Sequence, residues 1–149
     1  MEEIQYIDYG VGNKKSVVNA LCYLDKKVKF VNKVELLNVH QPMILPGVGS
    51  FPEAMQHLQD LKLADVIKEF VSSGKPFMGI CLGLQLLFSR STEFTDCEGL
   101  NIINGKVENL SKYLPNEPVP HVGWNTVIQH KATRNNNSTL FLNSQLFQN

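Results

Sequence analysis

The sequence predicts an α/β fold in which a mostly parallel sheet is covered by helices on both faces. Two observations support this: strand and helix patterns alternate along the chain, and glycine-containing turns follow the strands. Apolar strands are predicted at residues 4–9, 28–31, 43–45 and 77–80. The glycine-containing turns are at residues 10–13, 46–50 and 79–83. Because the carboxyl ends of parallel strands meet at one edge of a sheet, we expect these turns to lie together.

The helices are predicted from apolar residues that recur at helical spacing. The first helix is expected to begin at Ser16, a residue type that caps helix N-termini. Two further helices are predicted at residues 51–61 and 63–71. After Arg90 the pattern changes, and extended segments are predicted at residues 99–109 and 122–129. At 149 residues, the chain fits a single domain, residues 1–149.

Composition excludes several classes of function. Lys and Arg together number 14, and Asp and Glu together also number 14, so no overall charge favours nucleic acid or an anionic membrane as a partner. No apolar run approaches the ~20 residues of a membrane span, and the acidic N-terminus lacks the basic region of a signal peptide. With three cysteines in no pairing pattern, we expect a cytoplasmic protein without metal or other cofactor.

The turn at residues 79–83 carries the most specific chemistry. Cys81 stands between two glycines in the pattern G-x-C-x-G, after an apolar run that predicts a buried strand and before leucines at helical spacing through Phe88. This is typical of a nucleophile elbow in its cysteine version. The N–H groups at the start of the predicted helix would favour the thiolate. Cys22, in an apolar helical pattern, and Cys97, in a polar loop, are interpreted as structural residues.

The turn at residues 46–49 has the sequence Pro-Gly-Val-Gly and is a candidate partner of the elbow. If the two turns are adjacent, an N–H of this loop and the N–H of Leu82 form an oxyanion hole. A plain glycine turn is the alternative interpretation. The turn at residues 10–13 is weak as a phosphate site, because Lys15 stands where a third glycine is required.

Five motifs occur in the order found in one known family, at residues 8–13, 45–51, 79–87, 99–107 and 120–125. Over about residues 4–126 the chain resembles the class I glutamine amidotransferases. Within them it is similar to the glutaminase subunit of imidazole glycerol phosphate synthase. The resemblance implies a flavodoxin-like fold and hydrolysis of glutamine to glutamate and ammonia by Cys81. It also implies a heterodimer with a cyclase subunit that receives the ammonia for histidine biosynthesis.

The resemblance also implies roles for individual residues. The oxyanion hole would be formed by Leu82 with Val48 and Gly49. Glutamine would be bound by Gly47 and Gln85, although Gln85 is also consistent with an ordinary amide on a helix surface. The cyclase would lie near Asn13 and Trp124, although a lone tryptophan is more often a core residue.

One departure from the family is as informative as the match. The family takes its catalytic base and orienting acid from a His-Pro-Glu motif, which this sequence does not contain. The histidines are His40, His57, His121 and His130. None matches the base, and His40 and His57 are expected to be surface residues. The resemblance therefore implies a shortened chain that lacks the C-terminal strands and is a poor glutaminase.

Three alternatives to an active glutaminase of histidine biosynthesis are considered. The chain could be a catalytically impaired homologue that binds the synthase partner or glutamine without turnover. It could be a paralogue that feeds ammonia to a surface-sugar pathway. A different cysteine hydrolase on a similar sheet is disfavoured by the motifs at residues 46–49 and 120–125.

Overall fold

The computed structural model describes residues 2–120, 123, 124 and 126. The chain forms two compact units, Met1–Asn116 and Glu117–Asn149. All helices and strands of the described residues belong to the first unit. The described residues of the second unit are exposed, Trp124 among them. His121, His130 and most of the extended segment predicted at residues 122–129 lie outside the described residues.

The first unit is built on a four-stranded parallel sheet. Its strands are β1 (Glu3–Ile7), β2 (Lys27–Val31), β3 (Met43–Leu45) and β4 (Phe77–Gly79). They lie in the order β2-β1-β3-β4, and every neighbouring pair is parallel. This order begins the 2-1-3-4-5 pattern of flavodoxin-like folds, so the predicted fold class is confirmed.

Helices cover both faces of this sheet. They are α1 (Lys14–Tyr23), α2 (Phe51–Asp60), α3 (Leu63–Ser72) and the single turn α4 (Leu82–Gln85). The connection from β1 to β2 through α1 crosses the sheet in one direction, and that from β3 to β4 through α2 and α3 crosses in the other. Because such crossovers are right-handed, α1 lies on one face and α2 and α3 on the opposite face.

The main core lies between the sheet and the helices α2 and α3. Ile7 and Val31 are register partners, which places their side chains on the same face of the sheet. Both are fully buried in the cluster that contains the apolar residues of α2 and α3. The helical members of this cluster include Phe51, Ala54, Leu58, Leu63, Ile67 and Phe70. Burial of this apolar stripe holds the β3–β4 crossover against the sheet.

A smaller sheet follows the parallel one. It contains β5 (Phe88–Ser91), β6 (Cys97–Glu98) and β7 (Ile103–Val107), in the order β6-β5-β7. β5 pairs antiparallel with β6 and parallel with β7. The strand predicted within residues 99–109 is confirmed by β7. Single 3₁₀ turns lie at Val34–Leu36 and Leu110–Lys112.

The prediction of a helix that runs from the elbow through Phe88 is wrong. α4 ends at Gln85, and the chain enters β5 three residues later. The carbonyl of Leu86 accepts the N–H of Leu100 at 2.8 Å. The carbonyl of Leu87 accepts the N–H groups of Ile102 and Ile103, both also at 2.8 Å. These long-range bonds occupy the carbonyls that a longer helix would have used, so tertiary pairing overrides the local leucine spacing.

Three smaller expectations are also wrong. The first helix is capped by Asn13, whose side chain accepts the N–H of Ser16, so it begins at Lys14. Cys22 is exposed rather than buried, because Leu21 is the buried residue of α1. β4 is not a buried strand: Met78 is 50% exposed, since β4 is at the edge of the sheet as far as residues 2–120 are concerned.

Among the residues that the structure describes, no helix is long and apolar enough to span a bilayer.

Removal of core volume tests the assignment of the main cluster. Leu58 is fully buried in α2, and Leu58→Ala should lower the free energy of unfolding by about 2–5 kcal/mol because it leaves a cavity. Leu24→Ala is the matched control, since Leu24 is 60% exposed and its loss should change stability by less than about 0.5 kcal/mol. Urea unfolding measures both, and equal losses would contradict the assigned core.

Candidate active site

The three glycine-containing turns meet at the carboxyl edge of the parallel sheet, as predicted. A methyl group added at Gly12 would lie 2.9 Å from Tyr6 Oη and 3.4 Å from Pro46 Cγ, so the first turn touches the second. A methyl group added at Gly47 would lie 2.8 Å from the backbone nitrogen of Gly83, so the second turn touches the third. The arrangement follows from the parallel strands β1, β3 and β4, which end side by side.

Cys81 occupies the turn between β4 and α4 in a backbone conformation that is rare for a residue with a side chain. Its φ is 55° and its ψ is −117°, and the residue is exposed. Its carbonyl accepts the N–H groups of Leu84 at 3.0 Å and Gln85 at 3.2 Å. Such a conformation costs about 1–3 kcal/mol and persists only where its surroundings enforce it. The strain therefore marks Cys81 as a candidate functional residue whose sulfur is accessible.

The surroundings that enforce this conformation are two backbones in close contact. Ile80 donates its N–H to the carbonyl of Leu45 at 2.9 Å, which continues the pairing of β4 with β3 into the elbow. A methyl group added at Gly83 would overlap that same carbonyl of Leu45. Gly83 is therefore required by the closeness of the elbow to the end of β3.

The Pro-Gly-Val-Gly loop lies directly beside the elbow. A methyl group added at Gly47 would lie 2.9 Å from Leu82 Cβ. The N–H groups of Leu82, Val48 and Gly49 donate to no acceptor within residues 2–120. Gly49 has a φ of 98°, which favours glycine. Main-chain donors are thus available on both sides of the contact, and an oxyanion hole needs two such donors directed at one point.

The helix dipole that was expected to favour the Cys81 thiolate is weaker than predicted. The helix after Cys81 has four residues, and a single turn aligns few peptide dipoles. The elbow therefore contributes individual N–H donors, that of Leu82 above all, rather than the field of a full helix.

Tyr9 is a residue of this region that the sequence analysis did not single out. It is buried, and its hydroxyl donates to the carbonyl of Pro46 at 2.7 Å. Burial raises the pKa of Tyr9 well above its ordinary value, with smaller contributions from Tyr6 and Cys81. The phenol therefore stays protonated and remains a donor. A buried tyrosine at the end of a strand has the same pattern as any core aromatic, so the sequence contains no signal for this bond.

His57 was expected to be a surface residue, but it packs against the first turn. It is half-buried, and its Nδ1 lies 3.1 Å from the carbonyl oxygen of Tyr9, to which it donates. The ring lines a cleft of about 460 Å³ whose other walls include Asp8, Asn32 and Asp60. Cys81 does not line this cleft. His57 is therefore placed to support Tyr9, while His40 is exposed as expected.

The remaining predicted site residues are spread around this centre. Gln85 is half-buried in α4, one turn after Cys81. Asn13 is exposed at the start of α1, where its side chain caps the helix. The neighbouring Asp8 and Lys14 form an ion pair at 2.7 Å. Trp124 lies in the second unit.

The other two cysteines lack the setting of Cys81. Cys97 is half-buried in β6, where burial and the neighbouring Asp96 and Glu98 raise the pKa of its thiol. It therefore stays protonated and weakly nucleophilic. Cys22 is exposed on the regular helix α1, without backbone strain or a glycine turn. The polar loop predicted around Cys97 is instead a two-residue strand.

A strained, exposed cysteine between a parallel strand and a helical turn defines a nucleophile-elbow protein of the α/β class. The sequence model of the family "Glutamine amidotransferase class-I" matches residues 5–148. The chain belongs to this family.

Two relatives illustrate the match in sequence. The "Imidazole glycerol phosphate synthase subunit HisH 1" of Legionella pneumophila (strain Paris) is 42% identical over 131 residues, which cover 86% of this chain and 62% of the relative. The "Imidazole glycerol phosphate synthase subunit HisH" of Bacillus cereus (strain B4264) is 46% identical over 123 residues, which cover 82% of this chain and 57% of the relative. The chain thus spans about three fifths of the length of these relatives.

The fold is also similar to a solved structure. A crystal structure described as a glutamine amidotransferase superimposes with a TM-score of 0.61 at 22% sequence identity. The alignment covers 70% of this chain and 55% of that one. At this identity the likeness supports the α/β fold alone.

The raised pKa of Tyr9 predicts a stability loss at alkaline pH. Above the ordinary tyrosine pKa of 10.0, the unfolded chain releases the phenol proton while the folded chain keeps it. The unfolded state then binds fewer protons, so the free energy of unfolding falls as pH rises. Urea unfolding between about pH 9 and about pH 11 should show a smaller fall in Tyr9→Phe than in the wild type.

Tyr23→Phe is the control for this measurement. Tyr23 is 88% exposed, so its removal should leave the alkaline slope of the wild type unchanged. An equal slope in wild type and Tyr9→Phe would show that Tyr9 ionises freely in the folded protein.

Proposed function

We propose that the protein is the glutamine-hydrolysing subunit of a cytoplasmic synthase, with Cys81 as its nucleophile. The single observation that supports this most strongly is the strained and exposed Cys81 beside main-chain donors of two neighbouring turns. In this proposal the partner is a cyclase subunit that uses the ammonia to form imidazole glycerol phosphate, a lyase reaction in histidine biosynthesis. Membership of the glutamine amidotransferase family supports the choice of substrate.

In the proposed reaction, the sulfur of Cys81 attacks the side-chain amide carbon of glutamine. The carbonyl oxygen becomes an oxyanion that accepts hydrogen bonds from the N–H of Leu82 and from an N–H of Val48 or Gly49. The carbon–nitrogen bond then breaks, and the nitrogen takes up the proton that the thiol gave up and leaves as ammonia. Water attacks the resulting thioester, which releases glutamate and restores the thiol. Gly47 and Gln85 would line the glutamine site.

The partner contact is proposed at two residues, one in each unit. Asn13 is exposed at the start of α1, and Trp124 is exposed in the second unit. We assign both to the cyclase interface. Ala substitution at either position should weaken association with the cyclase rather than the reactivity of Cys81.

A second candidate function is a homologue that binds the synthase partner or glutamine without turnover. Within the printed 149 residues no His-Pro-Glu motif supplies a base, so this candidate concerns the 149-residue chain as it would be assayed. A paralogue that feeds ammonia to a surface-sugar pathway would use the same chemistry with a different partner. The reactivity of Cys81 and the identity of the coupled partner separate these possibilities.

Labelling by an electrophilic glutamine analogue tests the nucleophile. In the wild-type chain, a glutamine-analogue chloroketone should modify Cys81 faster than Cys22, although both are exposed. Cys81→Ala should lose this labelling completely and keep its fold, because the turn is on the surface. Mass spectrometry of peptides identifies the modified residue, and circular dichroism checks the fold.

Cys22→Ala is the matched control for this test. It removes an equally accessible thiol from a regular helix and should leave labelling of Cys81 unchanged. If the chloroketone does not modify Cys81 even in the presence of the cyclase, the enzymatic proposal is contradicted and the binding role takes its place.

Coupling to a partner predicts the pattern of ammonia release. The 149-residue chain alone should hydrolyse glutamine very slowly, since loss of the base in a serine-protease triad costs on the order of 10⁶ in rate and a cysteine nucleophile suffers somewhat less. Addition of the cyclase should raise ammonia release if the two form one synthase. Ammonia release in a coupled assay, with Cys81→Ala as the blank, measures both quantities. Stimulation by a surface-sugar synthase instead of the cyclase would reassign the pathway.

A further inference from the structure

We propose that Tyr9 is a positioning residue for the glutamine reaction, because its buried hydroxyl fixes the direction of the Pro46–Gly47 peptide beside Cys81. This inference rests on the proposed function and adds to it the element that holds the donor loop in place. Tyr9 is not a catalytic residue in this account, since it acts through the loop rather than on substrate.

One hydrogen bond holds the Pro46–Gly47 peptide group in place. The hydroxyl of Tyr9 donates to the carbonyl of Pro46 at 2.7 Å in a buried position. A trans peptide is planar, so its N–H points in the direction opposite to its carbonyl. Fixing the carbonyl of Pro46 therefore fixes the N–H of Gly47 and sets the path of the chain into Val48 and Gly49.

Gly47 packs closely against both Tyr9 and the elbow. A methyl group added at Gly47 would lie 2.7 Å from Tyr9 Oη and 2.8 Å from the nitrogen of Gly83. The tyrosine hydroxyl, the loop and the elbow that carries Cys81 are therefore in contact around a single glycine.

The hydrogen bond from Tyr9 to the Pro46 carbonyl has no substitute among the described residues. No other group within residues 2–120 donates to the carbonyl of Pro46, which is itself part of a buried residue. Without the hydroxyl, a buried carbonyl would lack a partner, and rotation of the peptide toward water would relieve this. The main chain of Tyr9 is fixed in turn by the hydrogen bond from His57 Nδ1 at 3.1 Å.

The consequence for the reaction concerns the oxyanion, not the nucleophile. Once the Pro46–Gly47 peptide is free to rotate, the loop after it is no longer held, and the N–H groups of Val48 and Gly49 would turn away from the oxyanion position proposed for them and for Leu82. Loss of one such donor slows comparable reactions by about 10²–10³. The sulfur of Cys81 would stay exposed and would keep its reactivity toward electrophiles that do not need these donors.

The test compares two tyrosine variants of the full chain. Tyr9→Phe removes the hydroxyl that bonds to Pro46. Tyr6→Phe is the matched control, because Tyr6 is also fully buried but its hydroxyl has no hydrogen-bond partner among the described residues. Each protein is treated with a glutamine-analogue chloroketone, whose carbonyl oxygen needs the loop donors, and separately with iodoacetamide, which does not. Modification of Cys81 is followed by mass spectrometry at a temperature where circular dichroism shows each protein folded.

Tyr9→Phe is expected to lose reactivity toward the chloroketone and to keep its reactivity toward iodoacetamide. Tyr9→Phe should lower the maximal rate of labelling by the chloroketone at least about tenfold, since one donor is worth about 10²–10³. Its iodoacetamide rate should stay within about twofold of the wild type, as should both rates in Tyr6→Phe. Amide hydrogen exchange at Gly47, which is buried in the wild type, should become faster in Tyr9→Phe alone, which would report the freed loop directly.

Three results would overturn the proposal. Equal chloroketone rates in wild type and Tyr9→Phe would show that the hydroxyl does not position the donors, while the proposed function would stand. An equal loss of chloroketone and iodoacetamide reactivity would show a general structural role. A wild-type chain that iodoacetamide labels and the chloroketone does not would overturn the proposed function and this inference with it.

Discussion

The site depends on the close approach of two backbones at the ends of adjacent parallel strands. The elbow after β4 donates the Ile80 N–H to the Leu45 carbonyl at 2.9 Å. Gly83 then passes so close to this carbonyl that no side chain fits between them. Gly47 of the donor loop also packs against the elbow, at the nitrogen of Gly83. Because only glycine permits both approaches, the nucleophile turn and the donor loop form one packed unit.

This contact explains how the strained cysteine is maintained. A positive φ at Cys81 costs about 1–3 kcal/mol, and the residues after it offset this cost by burial. Leu82 and Leu86 are buried in the main core, and the Leu86 carbonyl is paired with Leu100. The chain is therefore held on both sides of the elbow, while the sulfur between them stays exposed. Stability in the core is what allows an unfavourable conformation at the surface.

The sequence was sufficient for the parallel sheet and for the meeting of the three turns, because both follow from local alternation and from the geometry of parallel strands. It failed where long-range pairing decides. The leucines after Cys81 have helical spacing, yet residues 100–103 bind their carbonyls and end the helix at Gln85. The hydrogen bond from Tyr9 to Pro46 could not be predicted from the sequence either, because it joins residues 37 positions apart and leaves no local pattern. The roles of Val48, Gly49 and Gln85 remain predictions, supported by their placement near the elbow.

In the proposed reaction, the sulfur of Cys81 and main-chain donors from two turns converge on one point. This convergence can be measured in a crystal structure of the chain with Cys81 covalently modified by a glutamine-analogue chloroketone. The oxygen of the adduct should lie within about 3.2 Å of the Leu82 nitrogen and of the nitrogen of Val48 or Gly49. An adduct oxygen directed into solvent, with neither turn within hydrogen-bond distance, would contradict it.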